Sequence, residues 1–312
     1  MRYLYGKGIW AWKEHKVPRA IEVAVGTGAR FVLFKTGQAG TYFERPAQSA
    51  ARQISEAGLV PMAWPVVTCR DPEAEADVAV RSILDGYAGL VFDVQQSASR
   101  QHAGAARLGE IMIETELPQE TMFFSSLPNI AAHPELPLVE MARFCRGGFM
   151  PQAYASFSWN PRYTLDIVAY REFEQWAHQH QYKAPAYPVL GFCRDAGEEA
   201  PLPLDEIRDW LDALAQHRPT FFSVYRAGSI PEEAWPLLAA FRTARPGERI
   251  PDDPGREDGY ARVQPGETVS GLCLQHRCSL QQFWAWNGHL WDGQGKRRDP
   301  GLLEHGWVVR VG

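Results

Sequence analysis

Residues 89–96, GLVFDVQQ, are a strand-like apolar run that turns polar at Asp93 and Gln95. Residues two apart on a strand share a face, so this carboxyl and this amide are expected side by side. Together they can exchange hydrogen bonds with a ligand rich in hydroxyls or amides. Only Asp93 can exchange a proton near neutral pH, and only if burial lifts its pKa. Gln95 cannot act as an acid at all. Three further candidates for the same chemistry are Gln152 and Tyr154 in GGFMPQAY (147–154), and Asp195 just after APAYPVLGF (184–192). Two more modest roles fit the same residues. Asp93 could pair Lys35 or Lys13, and Gln152 could bridge neighbouring strands by hydrogen bonds.

Other chemistries find less support. No glycine-rich phosphate loop is present, and no histidine pair or carboxylate cluster falls where a metal could be held. His178 and His180 are two apart on an expected helix and do not face each other. No G-x-S-x-G is present. Cys69 and Cys193 lie near strand ends, but a thiol nucleophile needs a base beside it. No metal and no cofactor are expected.

The elements that must position these residues are eight short, near-continuously apolar runs: 8–12, 30–37, 59–67, 89–95, 121–128, 147–154, 184–192 and 220–228. Such runs are typical of parallel strands covered on both faces. Helical patterns lie between them. DPEAEADVAVRSIL (71–84) opens with an Asp cap and a proline at the first helical position. RYTLDIVAYREFEQWAHQH (162–180) is long and amphipathic. PLDEIRDWLDALAQH (203–217) sets Ile207, Trp210, Leu211 and Leu214 on one stripe. Ser229 and Glu232 have capping-box spacing before the last helix. Strand then helix, eight times, predicts an α/β (β/α)8 TIM barrel over residues 1–244. An open doubly wound sheet is disfavoured, because no G-x-G-x-x-G follows the first strand; GTG (26–28) reads as a helix C-cap.

In such a barrel function belongs at the C-terminal ends of the strands. Besides the residues above, those ends carry Trp12, Lys13, Lys35, Trp64, Ser125, Ser126, Arg194, Tyr225 and Arg226. Aromatic and small polar groups around one aspartate suit a sugar better than a phosphate or a metal.

The chain has 312 residues, a formal charge of −5 and a pI near 6.0, which argue against nucleic acid as a partner. No apolar run approaches the length of a membrane span. Five cysteines at scattered positions suit a reducing compartment better than a disulfide framework. MRYLYGKGIWAW lacks the apolar core of an ordinary signal peptide. The expected location is the cytoplasm, or the cell wall by another export route.

Residues 245–259, RPGERIPDDPGREDG, are almost all proline, glycine and charge and read as a linker. Residues 260–312 read as a small βααβ unit. They resemble a LysM module, through Tyr260, Val263, Pro265-Gly266, Thr268, Ser270, Leu272, Ser279-Leu280, Asn287 and Gly306. Glu267 departs from the aspartate usual there, and the loop at 288–299 is longer than normal. The resemblance implies binding of N-acetylglucosamine-containing glycans, peptidoglycan or chitin, in a shallow groove. That groove would be formed by Gly266, Glu267, Thr268 and Val269 on one side, and by Pro300, Gly301 and Leu302 on the other.

GLVFDVQ and GFMPQAY make the barrel resemble glycoside-hydrolase barrels of the family-18 chitinase and family-25 muramidase kinds. In those families strand four ends in Asp-x-Glu, whose glutamate is the general acid. Asp93 matches the aspartate, and Gln95 falls on the glutamate. The resemblance therefore implies a peptidoglycan-binding protein whose barrel has little or no activity. Two alternatives stand beside it. One is an active cell-wall glycosidase using Asp93 or Asp195 as acid. The other is a structural adaptor with protein partners in a phage-tail-like or contractile injection assembly.

Overall fold

The computed structural model describes residues 4–158, 160–193, 201–245, 260–262, 283 and 308–310. In chain order its first strands are β1 (Gly6–Ala11), β2 (Phe31–Gln38), β3 (Thr41–Tyr42), β4 (Val60–Val67) and β5 (Leu90–Val94). β6 (Met122–Ser126), β7 (Gly148–Tyr154), β8 (Val189–Gly191) and β9 (Phe221–Tyr225) follow. Eight of these run parallel in the order β1-β9-β8-β7-β6-β5-β4-β2, and β1 also pairs β2, which closes the barrel. β3 is a short antiparallel return onto β2.

The helices are α1 (Val17–Thr27), α2 (Glu44–Glu56), α3 (Pro72–Leu84), α4 (His102–Glu114), α5 (Leu138–Phe144), α6 (Phe173–Gln179), α7 (Leu204–Ala215) and α8 (Trp235–Ala240). α3 is capped as its sequence predicts: Asp71 accepts a hydrogen bond from the Ala74 amide at 3.1 Å. Gly28 ends α1 at φ 64°, a left-handed cap that suits glycine. The α7 stripe of Ile207, Trp210, Leu211 and Leu214 is buried.

Two local expectations fail. The segment 162–180 is not one α-helix, because Tyr163–Glu172 is wound as a π-helix before α6. Its buried residues are Thr164, Leu165, Val168 and Ala169. Ser229 does not cap the last helix either. Its hydroxyl turns back to the Arg226 amide at 3.1 Å and carbonyl at 2.9 Å, while α8 starts at Trp235 after a single tight turn, Glu232–Ala234.

The strand pleat produces two cores. Ile9, Val32, Phe34, Ala63, Leu90, Phe92, Phe124, Phe149, Leu190 and Val224 face outward to the helices. Their strand neighbours Trp10, Phe31, Leu33, Met62, Trp64, Val91, Phe123, Met150, Val189 and Phe221 fill the barrel. Alternation carries this inward face on to Asp93, Gln152, Tyr154 and Tyr225 at the C-terminal ends.

The chain divides into two units, Met1–Pro246 and Gly247–Gly312. In the second, β10 (Tyr260–Arg262) pairs antiparallel with β11 (Val308–Arg310), so the strands expected at the two ends of a βααβ unit are partners. Phe283, from the expected second helix, is helical and buried. Among the described residues, no helix is long and apolar enough to cross a membrane.

Candidate functional site in the barrel mouth

Asp93 is the hub of the mouth. It is only 4 % exposed. Its Oδ1 accepts hydrogen bonds from Gln95 Nε2 at 2.5 Å and from Gln152 Nε2 at 3.0 Å. Its Oδ2 accepts one from Trp64 Nε1 at 2.9 Å. Burial pushes the Asp93 carboxyl above the usual carboxylate range. The three donors and the more distant Lys35 charge pull the other way.

Each partner arrives by strand geometry. β4 lies beside β5, with Val66 opposite Asp93, which brings Trp64 within reach. On the other side Ser125 of β6 is opposite Asp93, and β7 follows β6. Gln152 spans that strand, donating to Asp93 and, at 3.2 Å, to Ser125 Oγ. Ser125 Oγ in turn donates to the Met150 carbonyl at 2.8 Å. Gln152 thus forms the inter-strand bridge, and it does so at the site itself. Asp93 has no direct ion pair with Lys35 or Lys13 among the described residues. Lys35 Nζ donates to Gln38 Oε1 at 2.7 Å, and Lys13 Nζ lies 3.9 Å over the Trp12 ring.

Aromatic rings line the mouth beside this network. Tyr154 stacks on Tyr225 with centroids 5.3 Å apart and planes 17° off parallel. Tyr225 meets Trp64 edge-on at 5.9 Å and Trp10 at 6.3 Å. Trp10 and Trp64 form a T at 4.8 Å. Gly191 makes room for the stack, since a Cβ there would sit 2.6 Å from the Tyr154 ring. Burial, then the Asp93 charge, raises the Tyr154 phenol well above its ordinary value, so it stays a neutral hydroxyl.

Of the residues expected from sequence, the structure gathers Asp93, Gln95, Gln152 and Tyr154 into one site. Ser126 turns away, its hydroxyl donating to the Val94 carbonyl at 2.7 Å. Asp195 lies outside the described residues, as do Gly266, Glu267, Thr268, Val269, Pro300, Gly301 and Leu302. Sequence reasoning missed Trp10 and Ser223, whose side chains bond Nε1 to Oγ at 2.8 Å across β1 and β9. Period-two spacing from Trp12 and from Tyr225 was the signal that could have found them. Among the described residues, no group of three or more His, Cys, Asp or Glu side chains could hold a metal.

The site's chemistry follows from the amide at position 95. Asp93 as a carboxylate only accepts, so the Gln95 NH₂ must face it, leaving the Gln95 carbonyl as an acceptor. A glycosidic oxygen departing from a sugar needs a proton donor, and Gln95 has none to give. Asp93 Oδ1 already receives two N–H groups and Oδ2 one, so the position left for a proton, or for a donor from a ligand, is the second lone pair of Oδ2.

Residues 261–294 match the LysM domain family. The match includes the expected groove residues 266–269 and ends before 300–302. Among solved structures, active domain 2 of a thermostable chitinase from Pyrococcus furiosus is similar to the barrel. It has 13% identity over 78% of this chain and 91% of that chain, with a TM-score of 0.52. The spore cortex-lytic enzyme SleL of Bacillus megaterium gives 8% identity over 79% and 76%, with a TM-score of 0.48. The modular autolysin LytC of Streptococcus pneumoniae gives 12% identity and a TM-score of 0.36, over 44% of this chain and only 36% of that one. This chain therefore spans well under half of that autolysin's length. At 13% identity the likeness to the chitinase domain is one of fold. No curated protein matches the chain in sequence.

Proposed function

We propose that the protein binds peptidoglycan or a related N-acetylglucosamine glycan through its LysM segment, and that its barrel holds sugar in the mouth without cleaving it at an enzyme's rate. The LysM match supports the first half. The second rests on the Gln95 amide, hydrogen-bonded to Asp93 where the resembling hydrolases carry their acid. Loss of general acid catalysis typically costs about 10²–10⁴-fold in rate. The aromatic rings and the acceptor–donor pairs that remain are what sugar binding needs: flat apolar faces and fixed hydrogen-bonding groups.

An active glycosidase is the second reading, favoured by the raised pKa of Asp93. Assaying reducing ends released from purified peptidoglycan decides between the two. The binding reading expects sedimentation of the protein with insoluble peptidoglycan and no release above background. Release that disappears in Asp93→Asn would establish the enzyme, and a protein that stays in the supernatant would remove the anchor.

A further inference from the structure

The mouth has two arcs of unlike chemistry. One, from β4 to β7, carries Trp64, Asp93, Gln152 and Tyr154. The other lies on β9, β1 and β2, three consecutive strands of the closed barrel. Its ends carry Arg226, Trp12 and Lys35. The Arg226 guanidinium sits over the Trp12 ring, 5.4 Å from its centre. Lys35 Nζ lies 6.0 Å from the Trp64 ring centre.

This second arc is short of acceptors. Arg226 is 8 % exposed, yet its Nε has no hydrogen-bond acceptor among the described residues. Trp12 Nε1, beneath the same guanidinium, has none either. Lys35 donates to a neutral amide oxygen and feels Asp93 only from a distance. Buried donors left without acceptors are costly, and the spare N–H groups of Arg226 and Trp12, with the Lys35 ammonium on the next strand end, define what would relieve them. A planar carboxylate matches a guanidinium fork and gains charge-assisted bonds.

The geometry points to a carboxylate subsite built from Arg226, Trp12 and Lys35, so that the mouth takes a saccharide bearing an acid group. The anion would sit on this arc, with neutral hydroxyl or acetamido groups on the Asp93 arc. This rests on reading the mouth as a glycan site. A lactyl ether, as on muramic acid, and a uronic acid both carry the required group.

Calorimetric titration of the full chain tests it with four probes. They are an N-acetylglucosamine–N-acetylmuramic acid tetrasaccharide, its methyl ester, chitotetraose and tetragalacturonate. The free acid should bind about tenfold tighter than its ester, the scale of one charge-assisted contact. Arg226→Gln should erase that preference while chitotetraose affinity stays within about twofold. Lys35→Met, at a half-buried position, should lose part of the preference and supplies the answer if Arg226→Gln does not fold. Tetragalacturonate binding that is weakened by Arg226→Gln supports recognition of the carboxylate wherever it is attached. If only the muramyl acid shows the preference, the lactyl position is supported. Equal affinity for acid and ester, with both weakened by Tyr154→Ala, overturns the subsite and leaves the glycan reading standing. If the tetrasaccharides titrate to a single site per chain that Tyr154→Ala leaves unchanged, the LysM segment alone binds them, and the mouth as a sugar site is overturned together with its subsite.

Discussion

A glutamate at position 95 would face Asp93 across the contact now made by the amide at 2.5 Å. Two carboxyls so close cannot both ionise cheaply, so one pKa of the pair rises and a proton is held there near neutrality. That is what a general acid requires, and the aromatic mouth around it is already in place. Gln95→Glu should therefore raise reducing-end release from peptidoglycan by about 10²-fold or more over wild type. Activity should be strongest at acidic pH and fall as the shared proton is lost. Unchanged release with glycan binding intact would show that more than the acid is missing. Asp93 itself allows a direct check. Its carboxyl should titrate above the ordinary value of 3.8 when followed by carbon-13 chemical shift. The sign then fixes its effect on stability. A carboxyl whose folded pKa is raised favours the fold most below its unfolded pKa, about 3.9, and that contribution is lost as pH rises through the folded value. Titration at or below 3.8 would mean that the three donors and Lys35 outweigh burial.

Elements hold the site through contacts that no pattern in the sequence announces. The turn after β4 is one. Glu75 of α3 is 1 % exposed and accepts from the Thr68 amide at 2.7 Å, the Thr68 hydroxyl at 2.8 Å and the Cys69 amide at 3.0 Å. This pins Cys69, which has a φ of 57°, against α4. A Cβ on Gly104 would lie 1.8 Å from the Cys69 carbonyl oxygen. Replacing a helical glycine by alanine ordinarily gains about 1 kcal/mol of helix propensity. Here the clash is with pinned backbone, and overpacking of that kind costs about 1–3 kcal/mol before any strain in the turn. Repulsion should win, and Gly104→Ala should lower the melting midpoint by several degrees, roughly 4–8 °C for a net loss of about 2 kcal/mol. A rise in midpoint would mean that the turn yields freely. The strands were legible because burial on both faces writes an apolar run into each. The π-helix at 163–172 and the Ser229 turn were not, because residue spacing is read against a 3.6-residue period and hydroxyl direction depends on the backbone around it.

At the scale of the molecule, closure of the barrel turns separate strand ends into one site. Asp93, Gln95, Gln152 and Tyr154 could be named from sequence because strand ends are where a barrel displays function. The Asp93–Gln152 bond could not, since it depends on β6 lying between β5 and β7 in a particular register. The same closure puts Arg226 next to Trp12, residues 214 positions apart in the chain that meet because β9 and β1 pair. The second unit, whose residues 261–294 match the LysM family, would add a second glycan site. Peptidoglycan is a polymer of repeated sugars, so under the proposed function a LysM segment and a sugar-holding barrel on one chain would engage it twice. Linked sites then gain roughly 10²–10⁴-fold over either alone wherever both reach the glycan together. Deleting 245–312 should accordingly reduce sedimentation with insoluble peptidoglycan by at least about 10²-fold in apparent affinity. Tyr154→Ala in the full chain should cost less, because the LysM segment still holds. Two single losses of equal, small size would mean that the units never bind one glycan together. A deletion with no effect would move the whole of glycan recognition into the barrel, where the aromatic mouth and the Asp93 network would have to supply it alone.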